Sequence, residues 1–138
     1  MSLEIQQRER EGILVFDLKG RLTVGEGVTR LRETLTKAAS SGRVNAVLNL
    51  EQLDYIDSTG LGSLVICYTT MKKAGGALKL VNLNRRNIEL LVLTKLTTVF
   101  ELYTSEQDAI NSFFPDREIR RFDILSFVQS QRQKSEGE

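Results

Sequence analysis

Residues 44–50 read Val-Asn-Ala-Val-Leu-Asn-Leu, a run so nearly apolar that it fits a strand covered on both faces. Such a strand belongs at the centre of a sheet with helices packed against it, and the flanking segments supply those helices. Before it, Val28, Leu31, Leu35 and Ala38 or Ala39 recur at helical spacing, and Ser41-Gly42 reads as the stop. After it, Leu61, Leu64, Val65, Tyr68 and Met71 or Lys72 fall on one side of a second helix that ends near Ala74-Gly75-Gly76.

The same alternation continues to the C-terminus. Residues 77–83 form another apolar strand, Ile88, Leu91, Val92 and Leu96 a third helical stripe, and residues 99–103 a short last strand. At the other end, residues 3–8 and 13–19 flank Glu9-Arg10-Glu11-Gly12 and read as a hairpin. Strand and helix in turn predict an α/β fold: a mixed, mostly parallel sheet of four to five strands with about four helices joined by right-handed crossovers. Ser105 with Asp108 three residues later resembles a capping box, opening a short helix that buries Ala109, Ile110 and Phe113. Pro115 ends it. One domain is expected over residues 1–114, followed by an extension over 115–138 that is helical to about residue 130 and then disordered. The apolar residues of that extension, Ile119, Phe122, Ile124, Leu125, Phe127 and Val128, spread too widely around a helix for a one-sided surface helix. They point to docking on the domain or on a second copy of the chain.

Absent residues narrow the chemistry. The 138 residues include no histidine, so neither Ser58 nor Cys67 has an imidazole base and no imidazole ligand exists for a metal. No calcium-loop spacing and no phosphate loop ending in Gly-Lys-Ser is present. The expectation is a protein that is not an enzyme, with no cofactor and no metal. Nineteen basic residues against 18 acidic ones give a charge of +1, which offers no attraction for nucleic acid. The single Cys67 lies in an apolar run and suits a reducing compartment. A polar start and no apolar stretch of membrane-spanning length predict a soluble, cytoplasmic protein with no direct membrane insertion.

Between the central strand and the second helix stands Asp57-Ser58-Thr59-Gly60-Leu61-Gly62. A hydroxyl at a helix start is placed for phosphorylation, but Asp and Ser in such positions also serve as caps for N–H groups that lack intrahelical partners. Gly60 and Gly62 each cost about 1 kcal/mol relative to alanine in a helix. Either close approach of a partner or close packing of the turn on its own sheet offsets that cost.

These residues carry a resemblance. Gly20-Arg21-Leu22, the strand ending at Asn49-Leu50, Tyr55 to Gly62, and Leu80-Val81-Asn82-Leu83 together resemble the STAS family, typified by bacterial anti-sigma factor antagonists. The resemblance runs from about residue 3 to residue 114. It implies a STAS-like fold with an antiparallel N-terminal strand, and a function in transcription regulation by partner switching. The serine that follows the family Asp, here Ser58 after Asp57, is phosphorylated by a partner that is both anti-sigma factor and serine kinase. Unphosphorylated antagonist binds that kinase and frees the sigma factor. Thr59 is the second choice of acceptor, and a serine phosphatase would reset the switch. Partner contact is implied for Thr23, Asp57, Ser58, Thr59, Gly60, Leu61 and Gly62. Many family antagonists carry an Asp where this chain has Thr23, so less negative charge surrounds Ser58 here, with consequences for kinase choice or affinity. The alternative is a non-catalytic STAS scaffold or accessory subunit of a stress-sensing or lipid-transport complex. In it Ser58 is a helix cap and the extension joins copies of the chain.

Overall fold

The computed structural model describes residues 3–119 and 122–136, with backbone alone for the last six. Strands β1 (Glu4–Arg10) and β2 (Ile13–Leu22) form the expected hairpin. Glu11 and Gly12 join them at φ 51° and 83°, the backbone geometry that matches hairpin twist. Helix α1 (Glu26–Ser40), strand β3 (Asn45–Ile56), helix α2 (Ser58–Lys73) and strand β4 (Ala77–Val81) follow. Then come helix α3 (Arg85–Leu93), a 3-10 turn at Leu96–Thr98, strand β5 (Glu101–Tyr103), helix α4 (Glu106–Asn111) and helix α5 (Ile124–Glu136).

The sheet order is β1-β2-β3-β4-β5, antiparallel for the first pair and parallel thereafter, so the apolar run of β3 is central, as its composition requires. Alternation along the strands divides the core. Leu14, Phe16, Leu18, Leu48, Leu50, Leu78 and Leu80 face α1 and α2, where Val28, Leu31, Leu35, Ala38, Leu64 and Met71 meet them. Their neighbours Ile13, Val15, Val47, Val81 and Tyr103 point the other way and are covered by Ala109 and Ile110 of α4. Cys67 is buried on α2, and burial pushes its thiol up to about 12.

Several boundaries differ from the sequence expectation. The third helical stripe ends at Leu93, because Lys95 takes up φ 62° and Leu96 belongs to the 3-10 turn. The following strand accordingly begins at Glu101 rather than 99, and β4 stops at Val81, before Asn82 at φ 61°. The Ser105 cap forms, its Oγ accepting the Asp108 N–H at 3.1 Å. In the C-terminal extension the helix starts only at Ile124 and reaches Glu136, past the expected end near 130. Residues 137 and 138, expected to be disordered, lie outside the described residues. Ahead of the helix the Phe122 N–H donates to the Leu102 carbonyl at 3.1 Å, and Phe122 and Ile124 pack on the core. The extension therefore docks on its own domain, along the free edge of β5, which blunts an edge otherwise open to pairing.

Candidate functional site

Helix α2 starts where β3 stops, and Asp57 makes the joint. Its Oδ1 accepts the Gly60 N–H at 2.7 Å, the reach of an N-cap onto the third helical residue. Its Oδ2 accepts the Val24 N–H at 3.0 Å, and its own N–H donates to the Leu22 carbonyl at 3.2 Å. One residue thus ties the loop after β2 to the start of α2. The Gly60 N–H first, and then that of Val24, hold the Asp57 carboxyl below the usual carboxylate range. Thr23, flanked by the two residues that bond to Asp57, is brought to the site and is half-buried.

The cap is therefore Asp57, not Ser58. Ser58 is the first helical residue, and both it and Thr59 are exposed. The two glycines have separate explanations. A Cβ on Gly60 would lie 2.8 Å from the Leu22 carbonyl carbon and closer still to its oxygen, so this glycine lets the turn pack on β2. A Cβ on Gly62 would meet nothing within 4 Å. Its cost in the helix is offset by no close packing among the described residues. Leu61 is buried in the core and supports the turn from beneath.

Beside Ser58 opens a groove of about 500 Å³ between the start of α2 and α3, lined by Tyr55, Asp57, Ser58, Arg86, Leu90 and Leu93, among others. The start of α3 is pinned to β3. The Asn84 side chain accepts the Asn87 N–H at 2.8 Å, while Nδ2 of Asn84 and of Asn87 donate to the Leu53 carbonyl at 3.2 and 3.1 Å. That anchoring carries the Arg86 guanidinium to 4.0 Å from the Tyr55 ring centroid, and Arg21 approaches the same ring at 4.7 Å. Arg85 and Arg86 occupy the first turn of α3, which holds no acidic residue. A cation there is disfavoured by about 0.3–1 kcal/mol through the helix dipole. Leu93, 80% exposed, lines the groove with Ser58, and Val24, 73% exposed, is held beside the turn by its N–H bond to Asp57.

The residue pattern at the helix start and the family resemblance brought Asp57, Ser58, Thr59, Gly60, Leu61, Gly62 and Thr23 to notice, and Tyr55 only as part of the matching motif; Arg86 and Leu93 were not singled out. The one signal for Arg86 is an arginine pair directly after Asn84, at the end of a helix that ordinarily prefers acids.

The STAS domain family model matches residues 4–109. The anti-sigma-B factor antagonist of Bacillus subtilis is 30% identical over 110 residues, covering 80% of this chain and 99% of that protein. Among solved structures, an anti-sigma factor antagonist from Mycobacterium paratuberculosis superposes with a TM-score of 0.69 at 20% identity, over 80% of this chain and 93% of the other. The anti-sigma factor antagonist SpoIIAA superposes in its unphosphorylated form (TM-score 0.62, 19% identity, 83% of this chain and 99% of that one) and in its phosphorylated form (0.63, 20%, 80% and 99%). These structural likenesses establish the fold.

Proposed function

The chain belongs to the STAS domain family, and we propose that it works as an anti-sigma factor antagonist switched by phosphorylation of Ser58. With Ser58 unmodified, the surface around the α2 start binds an anti-sigma factor that is also a serine kinase, and the sigma factor is released. The kinase then passes the γ-phosphoryl group of ATP to Ser58 Oγ. ADP leaves, and the hydroxyl proton goes to a base of the kinase. The modified protein dissociates, and a serine phosphatase returns it to the binding form. This chain acts throughout by binding. Among the described residues no helix is long and apolar enough to cross a membrane.

The observation that carries this reading is the division of labour at the turn. Asp57 supplies the cap, so the Ser58 hydroxyl is spared that duty and stands exposed. Had Ser58 been the cap, its oxygen would have been engaged with the backbone N–H groups of the first turn and less open to a kinase. As it stands, the modification adds roughly −1.5 to −2 charge and three acceptor oxygens to a formed surface. Gly62 supports the same reading, since the open space above it suits the backbone of a partner. The named relatives support it too: the Bacillus subtilis protein is an anti-sigma-B factor antagonist, and SpoIIAA exists in phosphorylated and unphosphorylated forms.

Intact-mass measurement after incubation with candidate anti-sigma kinases and ATP-Mg tests the proposal. One phosphate should be added to wild type and to Thr59→Ala, and none to Ser58→Ala. Phosphate retained on Ser58→Ala would move the acceptor to Thr59 or elsewhere, and no phosphate at all would favour a scaffold. One feature speaks for the scaffold, namely Leu125, 67% exposed on α5. If copies join through that helix, Leu125→Asp lowers the mass in solution. An unchanged mass removes that role.

A further inference from the structure

Two guanidinium groups converge on Tyr55, and neither Arg21 nor Arg86 enters an ion pair found among the described residues. Arg21 is there because it is the register partner of Tyr55 between β2 and β3. Arg86 is there because Asn84 and Asn87 fasten the start of α3 to Leu53. Both the mutual repulsion of the two cations and the dipole of α3 oppose the arrangement. Arg86 and Ser58 border the same groove, where Asp57 and Glu89 are the other charged groups. A phosphate on Ser58 would border that groove beside the Asp57 carboxylate, where a cation would offset the repulsion that the helix dipole of α2 only partly relieves.

We propose that Arg86, stacked on Tyr55, receives the phosphate of Ser58 and so bridges the start of α2 to α3 in the modified protein. The proposal rests on Ser58 as the acceptor. A guanidinium offers paired N–H donors in a planar fork that matches two phosphate oxygens, and contact with the Tyr55 ring limits the freedom it would lose on pairing. Arg21 reinforces the positive field from the same ring. Closing the bridge withdraws the Arg86 cation from the surface that the unmodified protein presents. The partner then meets a changed charge and a filled groove on an unchanged fold.

The test places phosphoserine at position 58 during translation, so that no kinase is needed, and follows its second ionisation by 31P NMR. Removing a cation destabilises the dianion, so Arg86→Gln should raise that pKa by about 0.5 to 1 unit relative to wild type. Arg86→Lys, which keeps the charge without the fork, should raise it by less. Arg43→Gln, a charge removed just before the opposite end of β3, should leave it in place. Arg86 is exposed, so these changes spare the core. Identical titration of wild type and Arg86→Gln, or an equal shift from Arg43→Gln, would overturn the proposal. The kinase assay on unmodified protein tests the acceptor separately, so either idea can fail while the other stands.

Discussion

Arg8 on the edge strand β1 and Arg86 in the first turn of α3 are both arginines, yet their surroundings are opposite. Arg8 Nε donates to Asp17 at 2.6 Å, its Nη2 reaches the other Asp17 oxygen at 3.0 Å, and it also pairs with Glu106, which takes Arg10 as well. Asp17 in turn accepts from Asn49 at 2.8 Å, and Asn49 accepts from Asn82 at 3.1 Å. This network runs from β1 across the sheet to the end of β4 and ties α4 to β1. Arg86 has an aromatic face and, among the described residues, no ion pair with a carboxylate. The difference separates structure from function: charges that satisfy one another clamp elements together, while charges left with only a ring beneath them remain available to something that comes and goes.

The contrast breaks most visibly if the open region is closed. Phosphorylation of Ser58 should weaken the kinase complex about a thousandfold, equivalent to a loss of about 4 kcal/mol, as calorimetric titration of the two forms would read. Equal affinities would put Ser58 with the structural residues. Next in size is Gly60→Ala, which should cost about 3 kcal/mol in urea unfolding because a Cβ there overlaps the Leu22 carbonyl. Unaltered stability would mean that the β2–α2 contact yields easily.

Glu106→Gln probes the clamp itself. It should cost about 1 kcal/mol at neutral pH and leave kinase affinity untouched. The neighbouring Arg8 holds the carboxyls of Asp17 and Glu106 below their usual values. A carboxyl with a lowered pKa in the folded state contributes stability that is whole above its unfolded value, about pH 4. That stability is lost as pH falls through the folded value. Unfolding followed from pH 7 to pH 3 should therefore be less acid-sensitive in Glu106→Gln than in wild type; parallel curves would remove the clamp from the account. The smallest effect is expected from Gly62→Ala, a gain of about 0.5 to 1 kcal/mol in stability joined to weaker kinase binding. A gain without loss of binding would leave Gly62 without a functional explanation.

Much of the fold was legible because burial has a period. Val28, Leu31, Leu35 and Ala38 line the buried side of α1. The α2 stripe holds with Leu61, Leu64 and Met71, Val65 and Tyr68 being only half-buried. Boundaries were less legible where a single backbone angle decides them: Lys95 ends α3 by its left-handed conformation, which no neighbouring residue type announces. At the site, the turn from Asp57 to Gly62 is contiguous in sequence and visible there. The groove beside it joins residues from β3 and α3, and sequence distance conceals such meetings.

The sequence by itself determined the alternation of elements, the central place of β3, the lack of imidazole chemistry and the hydroxyl at the start of α2. Each follows from residue type or local spacing. Only the tertiary structure decided which of Asp57 and Ser58 caps the helix, which glycine serves the fold, and which arginines stay uncommitted. Those outcomes depend on whether the Leu22 carbonyl, the Val24 N–H or the Tyr55 ring lies within contact distance, and packing alone sets such distances.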